Sequence, residues 1–310
     1  MYITFVKFQF VFITIELHKT SIGHKAIKFK LLMISDISKH LKSSDLFIDS
    51  LQLASPPNIY FVLKKTIENQ YKSLEDVAFI IENDPALAMR ILKVVNSAFF
   101  GLPMPIASIQ HAINFIGIQT LQNMVLATVV IDKFSSLPGG LHSMQDFWAR
   151  SVRCALLSKE ICIYRNNKDD LEVIFICGLL HDIGQLVFYC KIPDLARQID
   201  LLIENSNLDE IKAENNILGF NHYETGSELA QLWRLPEIII ETIRQHNNPS
   251  YAGAFADAAS IVRSANYLCK IDAQNVQSCS FCSDIPENEL CKILERTDKQ
   301  FDVIFKLFYR

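Results

Sequence analysis

Apolar residues return every three or four positions from residue 74 onward, which is the period of an α-helix. Two successive apolar stripes consist of Leu74, Val77, Ala78 and Ile81, and of Leu87, Ile91, Val94 and Val95. Between them stand Asp84, a residue type that caps helices, and Pro85, which suits a first helical turn. Alternation of period two, which marks half-buried strands, is scarce. The pattern therefore predicts an all-α fold.

Helix-breaking residues divide this pattern into two lobes. Gly117 is predicted to end the helix before it, and the clearest breaker in the chain is the Pro-Gly-Gly of residues 138–140. We predict an N-terminal helical lobe at residues 45–135 that packs on a second helical lobe at residues 141–250. Residues 251–310 are predicted to form C-terminal helices that extend the second lobe.

Residues 1–44 are predicted to be an N-terminal extension. They open with a strand-like aromatic and aliphatic run, without the basic start and small-residue cleavage site of a signal peptide. Because Met33 begins a segment that looks like an ordinary domain start, we expect translation to begin there. Residues 1–32 would then be upstream sequence.

Composition and charge exclude several classes of function. The formal net charge is -4 and basic residues are spread out, so there is no electrostatic footprint for nucleic acid. No stretch reaches the roughly 18 uninterrupted apolar residues of a membrane span, so a membrane is not expected as a partner. The 8 cysteines lack the dense spacing of a secreted disulfide scaffold. We therefore expect a cytoplasmic protein with reduced thiols.

The segment at residues 178–186 carries the most informative chemistry. His181 and Asp182 interrupt an otherwise apolar run, and two polar groups in such a place must be satisfied. Imidazole and carboxylate both ligate divalent metals, so this pair could supply two corners of a metal site if other elements supplied the rest.

The chain resembles the HD superfamily of metal-dependent phosphohydrolases, and more closely its HDOD branch, over residues 51–249. The resemblance rests on blocks in a fixed order, which are IIENDPAL at 80–87, NSAFFG at 96–101, AINFIG at 112–117, FW at 147–148, GLLHDIGQL at 178–186, NHYETG at 221–226, WRLP at 233–236 and QHNNP at 245–249. It implies an N-terminal helical lobe packed on an HD-like helical lobe.

The resemblance also implies that active HD enzymes have a histidine on the helix before the His-Asp pair and an aspartate on a later helix. This chain has Arg150 and Asn266 at the matching positions. A guanidinium cannot ligate a cation, and an amide is a weaker ligand than a carboxylate. We expect a degenerate HD site of His181, Asp182, Arg150 and Asn266 that contains no catalytic residue.

Two interpretations of Arg150 remain open. Its guanidinium could neutralise Asp182 directly in place of a metal ion and lock two helices together, because a buried carboxylate needs a positive or hydrogen-bonding partner. Alternatively, Arg150 points into water.

His222 and His246 also have two interpretations. Together with His181 and Asp182 they could form a residual pocket for a metal or another ligand. Alternatively, each is a hydrogen-bonded core histidine, which is the commoner situation on an apolar helix face. We expect no cofactor, with a residual divalent metal as the alternative.

HDOD domains are regarded as output or adaptor domains in bacterial signalling, so the resemblance implies a regulatory module that contacts other signalling proteins and is not an enzyme. The contact surfaces are expected between the lobes or on the phenylalanine-rich last helix. One alternative is an HD-type phosphohydrolase acting on a nucleotide or cyclic dinucleotide through His181 and Asp182. Another is a nucleotide-sensing pseudo-enzyme that binds its ligand without cleaving it.

Overall fold

The computed structural model describes residues 41–48, 57–97, 99–135, 143–166, 171–206, 208–270 and 280–309. Within these ranges the regular elements are α-helices and short 3₁₀ turns, with no strand, so the all-α prediction is confirmed. The expected start at Met33 and the Pro-Gly-Gly breaker at residues 138–140 lie outside the described residues.

The N-terminal lobe is built from α1 (Asn58–Ile67), α2 (Leu74–Glu82), α3 (Pro85–Val95), α4 (Ile109–Ile116) and α5 (Ile118–Ser135). The predicted helix boundaries are present. The Asp84 carboxylate accepts hydrogen bonds from the first backbone N–H groups of α3, and α4 ends at Gly117, where φ is 80°. Helix α1 was not predicted from the apolar pattern.

The second lobe and the C-terminal helices comprise α6 (Met144–Tyr164), α7 (Leu171–Leu180), α8 (Ile183–Lys191), α9 (Pro193–Asn205), α10 (Glu210–Leu218), α11 (His222–Leu232), α12 (Glu237–Gln245), α13 (Ala256–Lys270) and α14 (Glu287–Phe308). Helix α6 lies at the centre and packs against α7, α13 and α14. Helix α5 packs on α1, α3 and α4 and also on α7, so it joins the two lobes.

The last helix has a wider role than the sequence predicted. Helix α14 packs on α6, to which two ion pairs tie it, Arg296 with Glu160 and Arg153 with Asp298. It also contacts α3 and α5 of the N-terminal lobe. It therefore contacts helices of both lobes.

The predicted boundary between extension and domain falls inside a structural element. The 3₁₀ turn Ser43–Phe47 packs against α11, where the Ser43 hydroxyl lies 2.9 Å from the Thr225 hydroxyl in a hydrogen bond. Residues on both sides of the predicted boundary at 44 thus contact the second lobe.

One apolar run has the composition of a membrane span. Leu171–Lys191, which spans α7 and α8, is long and apolar enough to cross a membrane, but 83% of its apolar window is buried inside the protein. Core helices of folded domains have the same composition, so the run is weak evidence for a membrane span.

Glycine permits the closest helix contact in the second lobe. A Cβ atom on Gly184 would lie 1.9 Å from the carbonyl oxygen of His222 and 2.8 Å from the backbone nitrogen of Gly226. Helices α8 and α11 therefore meet backbone to backbone, and only a residue without a side chain fits at this point.

We expect Gly184→Ala to lower the free energy of unfolding by about 3 kcal/mol or more, because the two helices must separate to admit the methyl group. Gly219→Ala is the matched control, since its Cβ would meet nothing within 4 Å and only its φ of 80° is unfavourable. That control should cost about 1–2 kcal/mol. Urea unfolding followed by circular dichroism measures both, and equal losses would contradict the packing argument.

Candidate functional site

His181 and Asp182 form the turn that separates α7 from α8. The ring Nδ1 of His181 donates a hydrogen bond to the carbonyl oxygen of Gly178 over 2.8 Å. Asp182 stands at the N-cap position of α8, but its side chain does not cap the helix. Its carboxylate is therefore available to other partners within the lobe.

Three histidines surround the Asp182 carboxylate. His181 Nε2 lies 3.0 Å from Oδ2, His222 Nε2 lies 3.3 Å from Oδ1, and His246 Nε2 lies 3.9 Å from Oδ1. All four side chains are at most 1% exposed. The four residues that the sequence analysis grouped as a residual pocket are thus brought together, although they come from three separate segments of the chain.

The far side of each imidazole ring is held by an oxygen acceptor. His222 Nδ1 lies 2.7 Å from one carboxylate oxygen of Glu214, and His246 Nδ1 lies 3.1 Å from the carbonyl oxygens of both Thr242 and Ile243. Each Nδ1 therefore carries a proton, and Nε2 is the atom that faces Asp182. Such outer hydrogen bonds fix both the tautomer and the orientation of a ring.

The charges in this cluster follow from burial and from the neighbouring groups. Burial raises the pKa of Asp182, but the nearby His181 and His222 outweigh it and lower this pKa well below its usual value. Burial lowers the pKa of His222, but Glu214 and Asp182 outweigh it and raise this pKa well above its usual value. Burial, together with His181, lowers the pKa of His246 to about 3.

At neutral pH the cluster therefore contains a carboxylate at Asp182, an imidazolium at His222 and a neutral imidazole at His246. Glu214, His222 and Asp182 form a buried line of alternating charge, in which the central cation contacts an anion on each side. Buried charges are tolerated in proteins when they are paired in this way.

Three atoms of the cluster are left without a hydrogen bond in the part of the chain that the structure describes. They are His181 Nε2, His246 Nε2 and Asp182 Oδ2. His181 Nε2 nevertheless lies 3.0 Å from Asp182 Oδ2. The ligand atoms of these three residues lie within 4.8 Å of one another. Two imidazoles and a carboxylate fit a divalent ion, so these residues could hold a metal.

Arg150 does not form the direct ion pair with Asp182 that one interpretation of the sequence predicted, nor does it simply point into water. Its Nη2 donates a hydrogen bond of 3.1 Å to the side-chain oxygen of Gln185, and Gln185 donates to Glu210. Burial lowers the pKa of Arg150, but the charges of Asp182 and Glu210 raise it overall. Arg150 therefore acts on the cluster through the electrostatic field and through Gln185.

Asn266 lies on the inward face of α13, as its spacing predicted, and is only 6% exposed. Its side-chain oxygen has no hydrogen-bond partner among the residues that the structure describes. The residue is thus buried, but no hydrogen bond among those residues connects it to the histidines.

Three polar residues around the site were not predicted from the sequence as site residues. Gln185 lies in the first turn of α8, three residues after Asp182. Glu210 and Glu214 lie one helical turn apart on α10. For Glu210 and Glu214, the one available signal was their i, i+4 spacing on a helix, which places both on one face. That signal is weak, because most such pairs lie on solvated faces.

A cavity beside these residues does not open onto the histidine cluster. Gln185, Glu210 and Glu214 line it on one side, and the remaining lining residues are Phe188, Tyr189, Ala196, Ile199, Asp200 and Ile203. Asp182 and the three histidines do not line this cavity. The four side chains of the cluster are buried, and this cavity does not reach them.

Comparison with protein families gives a single assignment for most of the chain. The family model described as HDOD domain matches residues 53–249. The match includes both lobes up to the loop after α12, and with it the His-Asp turn, His222 and His246.

A curated relative matches a similar length of the sequence. An uncharacterized protein from Treponema pallidum (strain Nichols) is 28% identical over 196 residues, which is 63% of this chain. The matched part is 38% of that relative's length, so the chain spans well under half of the relative.

Two crystal structures share the fold. A candidate phosphohydrolase from Shewanella amazonensis SB2B superposes with a TM-score of 0.70 at 23% identity, covering 87% of this chain and 99% of that one. An HDOD domain protein of unknown function from Geobacter sulfurreducens has a TM-score of 0.69 at 19% identity, covering 91% and 99%. At such identities the likeness establishes the fold and no more.

We expect Glu214→Gln to lower the free energy of unfolding by about 3 kcal/mol, because it removes one anion from a buried line of charges. Glu237→Gln is the matched control, since Glu237 is exposed at the start of α12. It should change stability by less than about 0.5 kcal/mol. Thermal and urea unfolding measure the difference, and a neutral effect of Glu214→Gln would show that the His222 pair is not held as described.

Proposed function

Because the chain belongs to the HDOD domain family, which lies within the HD superfamily, we propose that it is a non-catalytic module of signal transduction. It works through contacts with other proteins. In this proposal the HD site has become a buried cross-link that holds the second lobe together, and hydrolysis has been lost.

The observation that carries this proposal is the enclosure of the Asp182 cluster. A phosphohydrolase must bring a phosphate ester and a water molecule to its ligand residues. Here the carboxylate faces an imidazole on each of three sides, and all four side chains are at most 1% exposed. A substrate could reach these atoms only if helices of the second lobe moved apart.

Arg150 supports the same conclusion. At the position where the resemblance implies a metal-binding histidine, the chain has a cation that is held by Gln185. A fixed guanidinium near Asp182 contributes positive charge without the open coordination position that hydrolysis needs.

The rival function is that of a metal-dependent phosphohydrolase, and the donor set of His181, Asp182 and His246 favours it. A divalent ion bound there would supply Lewis-acid activation of water or of a phosphoryl oxygen. The enclosure argues against turnover but is compatible with an ion that only cross-links the helices.

We expect the purified chain to show no metal-dependent hydrolysis of nucleotides, cyclic dinucleotides or p-nitrophenyl phosphate with Mg²⁺, Mn²⁺, Zn²⁺ or Fe²⁺. The rate should equal that of Asp182→Asn, with Asp302→Asn on the exposed face of α14 as the matched control. Metal content of protein purified without chelator is measured in parallel. Turnover that Asp182→Asn abolishes and Asp302→Asn retains would overturn the proposal, whereas bound metal without turnover would support it.

The surface that contacts a partner is proposed to lie on the N-terminal lobe. Phe79 on α2 is 63% exposed and Phe115 on α4 is 60% exposed, and these two helices pack against each other. Exposed aromatic side chains on neighbouring helices are candidates for a partner-binding surface, because aromatic residues are enriched at the centres of protein interfaces. On the last helix, Phe301 and Phe305 instead stack on each other with ring centroids 5.5 Å apart and are half-buried.

We expect the double change Phe79→Ser and Phe115→Ser to abolish capture of the partner from lysate of the native organism. Val303→Ser on α14, which is 48% exposed, is the control and should capture as well as the unchanged chain. Circular dichroism establishes that each variant is folded. Loss of capture by the Val303 variant alone would place the surface on the last helix instead.

A further inference from the structure

Two cysteines from distant parts of the sequence meet between α6 and α13. The Cys154 thiol, on α6, and the Cys269 thiol, on α13, are electrostatic neighbours, and the two helices pack against each other. Independently, Cys269 Sγ lies 4.0 Å from the backbone carbonyl oxygen of Arg150, one helical turn before Cys154. Both observations place the two sulfur atoms near the same turn of α6.

The two thiols differ in access to solvent. Cys154 is fully buried, whereas Cys269 is partly exposed. Burial raises the pKa of the Cys154 thiol well above its usual value, and the neighbouring Cys269 adds to the effect. An oxidant from solution therefore meets Cys269 first, and Cys154 is the thiol that waits beside it.

The surroundings of Cys269 suit a reactive cysteine. The Arg150 guanidinium is near enough to interact electrostatically with Cys269. Redox-active cysteines in proteins are partly exposed and lie beside a cation, often with a second thiol within reach to resolve the first product. Cys269 is partly exposed and has Cys154 as the neighbouring thiol.

We propose that Cys154 and Cys269 are a peroxide-sensitive pair that closes to a reversible disulfide, cross-linking α6 to α13 beside the His-Asp cluster. The Cys269 sulfur attacks the peroxide, the O–O bond breaks, and a sulfenic acid and one water are formed. The Cys154 sulfur then attacks the sulfenic sulfur and expels a second water. Two thiols are oxidised, one hydrogen peroxide is reduced, and their two protons leave in the waters.

The cross-link would act on helices that border the cluster. Helix α6 carries Arg150, and α13 carries the buried Asn266. Passing from contact to a covalent bond draws α13 toward α6, so oxidation changes the packing around Arg150. The pair offers a route by which peroxide could alter the second lobe, and it does not depend on the proposed function.

The test uses the full chain, reduced, freed of reductant and treated with hydrogen peroxide. After remaining thiols are blocked, digestion without reductant and mass spectrometry should reveal a Cys154 peptide joined to a Cys269 peptide, lighter than their sum by two hydrogen atoms. Dithiothreitol should release it. Cys269→Ser should abolish the linked peptide, and Cys291→Ser, at an exposed thiol on α14, should leave it unchanged.

A second measurement, which traps the sulfenic acid, tests the proposal even if the Cys269→Ser variant folds poorly. Dimedone should label Cys269 strongly in Cys154→Ser and weakly in the unchanged chain, because Cys154 consumes the sulfenic acid. Strong dimedone labelling of Cys269 in the unchanged chain without a linked peptide would overturn the proposal. Linkage of Cys269 to any other cysteine, or oxidation of Cys291 alone, would overturn it as well.

Discussion

A buried carboxylate is the constraint on which the packing of the second lobe depends. Asp182 is 1% exposed, so its charge must be balanced by protein groups. Three imidazoles from the α7–α8 turn, the start of α11 and the end of α12 approach it within 3.9 Å. Glu214 then balances His222 from the other side. The positions of four helices are thus coupled to one buried charge.

The same arrangement connects the fold to the proposed loss of catalysis. Gly184 and Gly226 let α8 and α11 approach backbone to backbone, which brings His222 onto Asp182. That contact buries the ligand atoms, and in the proposed function the same burial keeps a substrate out. A metal ion bound by the three unpaired donor atoms would add to this cohesion without making the site accessible.

Helix α6 connects the surroundings of this cluster to other parts of the protein. It carries Arg150, which is joined through Gln185 to α10, and Cys154, which meets α13. It also packs along α14, and α14 in turn contacts the N-terminal lobe. A change in packing at either the cluster or the thiol pair would therefore alter the contacts between α6 and α14. Because α14 also contacts the N-terminal lobe, the change would reach that lobe.

The sequence alone determined the helical class, the caps at Asp84 and Gly117, the family and the set of His181, Asp182, His222 and His246, because period, capping residues and ordered blocks are local properties of a chain. Tertiary structure decided which atoms meet. The partner of Arg150 proved to be Gln185, the partner of His222 proved to be Glu214, and Cys154 proved to neighbour Cys269. Such pairings depend on the angle and distance at which helices pack, and that geometry results from all side chains of the core together.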